Sequence, residues 1–245
     1  MLFNFLTRYP HPYNKIGDGP EGPEVKTMAC ELAKQLSGSR IVAFRILNRK
    51  YLSHFVNHAE FQRAVNNHSI TISTTGIRGK WLWIQFSNRM VLANHLRMTG
   101  QWAQTRSAHS ILEFQLSSGK HIYYDDYRRF SYMYYWTRDQ LSRTLDELAP
   151  DILNDCITER EFVSRLHRYP KGAIYPLLLK QNKVLSGVGN YIVNEALYRA
   201  RISPRRKTGA LTTSEEGKLY RALTRISQQS FADGGCSAQN YTNIR

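Results

Sequence analysis

Pro20 and Glu21, at the head of Pro20-Glu21-Gly22-Pro23-Glu24-Val25, are the neighbouring pair in this 245-residue chain whose types suit covalent chemistry. A proline with a free nitrogen is a secondary amine. A terminal amine has a reference pKa near ~8 against ~10.4 for lysine, so roughly a tenth is unprotonated at neutral pH where lysine offers well under ~1%. Attack on a sugar C1′ gives an iminium with no proton to lose, and that fixed positive charge acidifies the C2′ hydrogen and opens β-elimination of the 3′-phosphate. Glu21 beside it suits acid/base work. The chemistry carries one condition, that Pro20 begin the chain. Here Gly19 precedes it, and an acylated proline nitrogen is a tertiary amide that forms no imine. The competing reading is a plain helix opening, since prolines and glutamates commonly occupy a first turn.

The elements that must hold this pair follow from periodicity. Val25, Met28, Ala29, Leu32 and Leu36 recur at i, i+3, i+4, i+7 and i+11, with Gly38 as a stop, which predicts an amphipathic helix from Pro23. Its N-terminus points partial positive charge at Pro20 and disfavours the ammonium form. Between about residues 40 and 136 the pattern turns to strands. Leu112-Glu113-Phe114-Gln115-Leu116-Ser117 alternates before a Ser118-Gly119 turn and a second run through Tyr124, while Trp81 to Phe86 and Val91 to Leu96 are denser, as in strands buried between two layers. A β-sandwich is predicted. A polar stretch from Trp136 to about residue 155, with Ala149-Pro150-Asp151, is the expected domain connection. Beyond it Pro176 suits the first turn of a helix through Gln181, and Ser186-Gly187-Val188-Gly189-Asn190 is a glycine-rich turn. Ile192, Val193, Ala196, Leu197 and Ala200 make a helical stripe, and Thr213 with Glu216 makes a capping box for a last helix carrying Leu219, Leu223 and Ile226.

Composition narrows the partner. The chain has 34 Lys+Arg against 19 Asp+Glu, a net charge of +15 spread along its length, which favours a folded surface meeting a polyanion such as nucleic acid, with anionic membranes as the alternative. No apolar run reaches the length that spans a bilayer. Cys30, Cys156 and Cys236 are far apart and odd in number, so neither a disulfide framework nor a paired zinc knuckle is expected, and a reducing compartment follows. Residues 1–19 are aromatic and proline-bearing with no acid before Asp18; they are expected to be a disordered or removed extension, with a mitochondrial transit peptide as the weaker reading.

The opening at Pro20 resembles the Met-Pro-Glu-Gly-Pro-Glu-Val start of the formamidopyrimidine-DNA glycosylase / endonuclease VIII family, whose mature chains begin at that proline. The segment from Pro176-Leu177-Leu178-Leu179-Lys180-Gln181 through Asn190-Tyr191 to Ser203-Pro204 resembles the family's helix-two-turn-helix, with Lys180 where an acidic residue is usual. Ile77-Arg78-Gly79-Lys80-Trp81-Leu82-Trp83 resembles the strand bearing its essential lysine, which places Lys80 as proton donor and phosphate contact. The alternative for Lys80 is an edge lysine that discourages aggregation. His95-Leu96-Arg97-Met98-Thr99-Gly100 resembles the loop whose methionine enters the duplex, and Asp126-Tyr127-Arg128-Arg129-Phe130 the loop supplying an arginine and a phenylalanine, with Tyr127 where prolines are common. An extruded nucleotide leaves a hole in the stack that an apolar wedge and a guanidinium can fill. Core packing is the alternative for Met98 and Phe130, and a plain surface role for His109, which matches a DNA-contacting histidine. Lys171 and Asn190 match phosphate contacts; Gly187-Val188-Gly189-Asn190 presents backbone N–H groups and an Asn cap at a helix start, an arrangement that suits an anion and is also common as a purely structural turn.

The resemblance implies an α+β protein in four parts. These are the extension at 1–19, an N-terminal β-sandwich domain with its helix at 20–138, a linker at 139–155, and a helix-two-turn-helix domain at 156–245, with DNA between the two domains. It implies excision of oxidised bases from double-stranded DNA and cleavage of the abasic site through a Pro20 imine, by a monomer acting wherever DNA is, in cytoplasm or nucleus, without a cofactor. Family members continue into a β-hairpin finger where this chain stops at Arg245, so no zinc and mainly β-elimination products are expected. The rival reading is a catalytically inactive damaged-DNA-binding protein. A basic RNA-binding module is a third, opposed by the lysine strand and the Arg-Arg-Phe loop.

Overall fold

The computed structural model describes residues 19–67 and 70–235. The expected extension up to residue 18, Cys236 and the rest of the C-terminal segment to Arg245 lie outside the described residues.

The predicted helix is α1, Gly22–Leu36, which buries Val25, Ala29, Leu32 and Leu36, the stripe read from spacing. Gly38 follows at φ 78°, a left-handed position that glycine takes without strain. Two sheets come next. One has four strands in the order β1 (Ile41–Ile46), β7 (Ser110–Leu116), β8 (His121–Asp126), β6 (Gly100–Ala103). The other has five, in the order β2 (Phe55–Val56), β9 (Tyr132–Thr137), β5 (Met90–His95), β4 (Trp81–Phe86), β3 (Ile72–Arg78). A short helix α2, His58–Asn66, adds Phe61 and Val65 to their core. That core is one apolar cluster joining α1 to both sheets, with Phe44, Phe55, Phe61 and Phe114 in edge-on and tilted ring contacts. Trp81–Phe86 alternates half-buried and buried positions, and β5 buries Val91 to Asn94 continuously.

The polar stretch after Trp136 is not an irregular connection. It holds a helix α3, Arg138–Asp146, which buries Leu141 and exposes most of its other side chains. The helical half contains α4 (Glu159–Leu166), α5 (Ile174–Leu178), α6 (Asn190–Ala200) and α7 (Thr213–Ala232) around a second apolar cluster that includes Phe162, Leu178, Val188, Ile192, Leu219 and Leu223. Helix α5 begins two residues ahead of Pro176 and ends at Leu178, short of Gln181. The capping box is one residue earlier than expected, between Thr212 and Glu215. No described helix is long and apolar enough to cross a membrane.

Compactness does not follow chain order. One unit contains Pro20, Val25–Ile77 and Trp81–Arg143; the other takes Glu21–Glu24 and Arg78–Lys80 together with the helices from Thr144 onward.

Candidate functional site

Glu21 lies within the helical unit, 1% exposed. Its Oε1 accepts the Tyr191 N–H at 2.9 Å, at the start of α6, while Oε2 is buried with no hydrogen-bond partner. A buried carboxyl with one bare oxygen resists ionisation. Burial pushes its pKa up to about 8, with Lys80 pulling it down, Glu24 pushing it further up, and the Tyr191 and Gly189 backbone pulling it down again. A carboxyl of this kind is protonated at neutral pH and can donate.

The backbone of Glu21 is held as firmly as its side chain. Its N–H donates to Glu24 Oε2 at 2.9 Å, and Glu24 Oε1 accepts the Tyr191 hydroxyl at 2.9 Å. Tyr191 therefore holds Glu21 directly through its N–H and indirectly through its hydroxyl. Ser230 of α7 lies 2.9 Å from that hydroxyl. The Gly22 N–H donates to Gly187 O at 2.7 Å, so the start of α1 is stitched to the glycine turn. Gln181 fixes that turn from behind, accepting the Gly187 N–H at 2.9 Å and donating to Val188 O at 2.8 Å.

Lys80 sits in the turn between β3 and β4, where Gly79 has φ 58°. The Gly79 N–H donates to Asp151 Oδ2 at 2.7 Å, and buried Asp151 also accepts the Leu153 N–H and the Asn154 side chain. Gly189 brings the acid and the ammonium together: a Cβ there would lie 2.4 Å from Glu21 Cδ and 2.4 Å from Lys80 Nζ. No side chain fits at residue 189 without displacing both.

Asn190 is the first residue of α6 and not its cap. Gly189 is the N-cap, and the Asn190 amide oxygen accepts from the Tyr175 hydroxyl and from Asn194. Lys171 is exposed on a groove of about 400 Å³ that Arg168, Tyr169, Pro176 and Lys180 also line.

Pro20, Met98, His109, Arg128 and Phe130 belong to the sheet-bearing unit. Phe130 is 49% exposed and Met98 half-buried, and neither belongs to the apolar core, so the core alternative fails for both. The Arg128 guanidinium lies 4.8 Å over the Phe130 ring, and His109 meets Tyr127 edge-on at 5.0 Å. Gly19 passes so close beneath the Met98 loop that a Cβ on it would lie 2.1 Å from Arg97 O and 2.6 Å from Met98 Cα. Spacing gives no hint of Tyr191, Asp151 or Ser230 as holders of Glu21 and Lys80; Glu24 alone carries a signal, as an acid in the first turn of a helix. Among the described residues no group of three or more His, Cys, Asp or Glu could hold a metal ion.

Comparison with known proteins places this arrangement. Residues 19–133 match the formamidopyrimidine-DNA glycosylase N-terminal domain and residues 148–242 the H2TH domain of the same family. A formamidopyrimidine-DNA glycosylase of Pelotomaculum thermopropionicum is 33% identical over 229 residues, covering 91% of this chain and 81% of that protein. One from Deinococcus radiodurans is 30% identical, covering 90% and 78%. Among solved structures, the Lactococcus lactis enzyme bound non-covalently to DNA containing an AP site superposes with a TM-score of 0.79 at 26% identity, covering 91% of this chain and 85% of that one. The Thermus thermophilus protein superposes at 0.77 and 28%, covering 90% and 79%. The chain belongs to the formamidopyrimidine-DNA glycosylase family.

Proposed function

We propose that, once Pro20 is N-terminal, this protein is a base-excision DNA glycosylase for oxidised bases that also cleaves the abasic site by β-elimination. The observation that carries this is Glu21: a carboxyl held at both ends, kept protonated near neutrality by burial, with a bare Oε2 and the Lys80 ammonium beside it. Relatives named as formamidopyrimidine-DNA glycosylases, and one structure bound to 8-oxo-G DNA, support the substrate class.

In this proposal the Pro20 nitrogen attacks C1′ and the bond from C1′ to the base breaks with its electron pair leaving on the base, which takes up a proton. The Pro20 nitrogen gives up its own proton and its lone pair then expels O4′, which is protonated as the sugar ring opens and leaves a C1′ iminium. Glu21 and Lys80 are the proton donors and Lys80 also holds the phosphate. Loss of the C2′ proton from the iminium expels the 3′-phosphate with its bonding pair. Met98 and Phe130 fill the vacated stack and Arg128 faces the orphaned base, while His109, Lys171 and Asn190 bind backbone phosphates.

Gly19 favours a second reading for the chain that retains it. Pro20 nitrogen is then an amide, and the protein is a catalytically inactive binder of damaged DNA. Incubation of a Pro20-started protein with duplex carrying one oxidised purine tests the proposal. Release of the free base is expected, and its absence despite tight binding would leave the damage-binding reading in place.

A further inference from the structure

One buried residue, Asp126, joins the three loops that carry Met98, His109, Arg128 and Phe130, two of them through its carboxyl and the third through its backbone N–H. Asp126 closes β8, where its partner across the ladder is Gly100, the first residue of β6, and Asp125 beside it pairs with Ser110 at the start of β7. The 96–100 turn, the 107–110 loop and the 126–131 loop therefore leave the four-stranded sheet at one end. Asp126 is 1% exposed. Its Oδ1 accepts from the Thr99 hydroxyl, and its Oδ2 accepts from Ser131 twice, from the N–H at 2.9 Å and from Oγ at 2.6 Å. The Thr99 hydroxyl in turn accepts the Arg128 N–H at 3.0 Å, and the Asp126 N–H donates to His109 O at 3.1 Å. With its own proton given to Asp126, Ser131 Oγ accepts from the buried Tyr51 hydroxyl at 2.9 Å, which ties the assembly to the core.

These loops need such a tie. Tyr127, Arg128, Arg129 and Phe130 are all exposed, so burial does not fix them. Arg97 at φ 54° and Arg129 at φ 57° sit in the left-handed region, which non-glycine residues hold only where the surroundings over-determine them. A hydroxyl that donates to one loop's carboxyl while accepting from that same loop's backbone makes the setting of Met98 depend on the setting of Arg128.

We propose that Asp126, Thr99 and Ser131 form a positioning network that sets Met98, Arg128 and Phe130 as one unit for capture of a nucleotide gap. The proposal rests on the DNA reading above. Its readout is the ratio of affinities for a duplex with a tetrahydrofuran abasic analogue and for the same duplex intact, measured by titration at fixed salt. Wild-type protein is measured first, and a ratio near one overturns the DNA reading itself. Thr99→Val keeps the branched shape and removes both hydrogen bonds; the ratio is expected to fall about tenfold, the scale of a lost buried hydrogen bond to a charged partner. Thr99→Ser restores the hydroxyl and should return the ratio to within about twofold of wild type. Ser131→Ala, which keeps the N–H bond and removes Oγ, should cost about threefold. Overturning results are a wild-type ratio in Thr99→Val and Ser131→Ala, an equal loss on both duplexes, or Thr99→Ser as impaired as Thr99→Val.

Discussion

Glu21 and Asp126 are hidden from water to the same degree, 1% exposed each, and the two regions treat a buried carboxyl in opposite ways. Asp126 receives three hydrogen bonds from two loops, spread over both oxygens. Glu21 receives the Tyr191 N–H on one oxygen and has the other left bare. A carboxyl saturated by local donors is a fastener, because each donor removed leaves a buried acceptor unpaired. One left bare is what the proposed proton transfer needs, with its pKa raised to about 8 chiefly by burial. Burial alone does not assign either role; the proposal for Glu21 rests on its bare oxygen.

Substitution at Glu21 should give the largest effect. Glu21→Gln keeps the shape and the Tyr191 contact but removes the transferable proton, so base excision by the Pro20-started protein should fall by about 10²–10⁴, read by release of the free base, with abasic-site binding retained. Retention of excision would make Glu21 a fastener too. Next is Gly189→Ala, whose Cβ must displace both Glu21 and Lys80. Overpacking of this kind costs about 1–3 kcal/mol in a thermal or urea melt, and excision should fall with it.

Stability should also depend on pH through Glu21. Glu21 is raised from 4.5 to about 8, so the folded state holds a proton that the unfolded chain releases. That stabilisation is fully present below pH 4.5 and is lost as pH rises to about 8. Glu21→Gln removes the dependence, so the melting temperature of wild type relative to Glu21→Gln should decline across that window, by an amount equivalent to about 2–4 kcal/mol at its upper end. A parallel pair of curves would mean that Glu21 ionises normally.

Met98→Ala and Phe130→Ala should have smaller and more selective effects. Each should lose about 1–3 kcal/mol of preference for abasic over intact duplex, and equal losses on both would mean that neither side chain recognises the gap. Lys80→Ala and Asn190→Ala should weaken binding to every sequence, and Lys80→Ala should also flatten the salt dependence by about one unit of slope.

Much of this architecture was legible because it rests on local periodicity. The Val25–Leu36 stripe became α1, and the alternation from Leu112 became β7 with its partner β8. Misplacements came where neighbouring residues offer the same chemistry. Thr212 and Thr213 are followed three residues on by Glu215 and Glu216, so spacing alone admits two capping boxes. Helix α3 was hidden in a stretch whose buried face is little more than Leu141. Gly189 takes the cap because the close approach of Glu21 and Lys80 excludes any side chain there, which moves Asn190 into the helix. Glu21 and Lys80 were legible from their motifs. Tyr191, Asp151 and Asp126 were not, because the bonds that matter, Tyr191 to Glu21, Asp151 to Gly79 and Asp126 to Thr99, join residues 170, 72 and 27 positions apart, and no spacing rule reaches so far.

The most direct test is borohydride trapping on abasic-site DNA, with the full 245-residue chain and a Pro20-started form side by side. The Pro20-started form is expected to crosslink and nick, and the full chain, with Pro20 nitrogen tied up as an amide, to crosslink little or not at all. A Pro20-started protein that binds abasic DNA tightly yet traps nothing over hours, or a full chain that traps equally well, would contradict the assignment of Pro20.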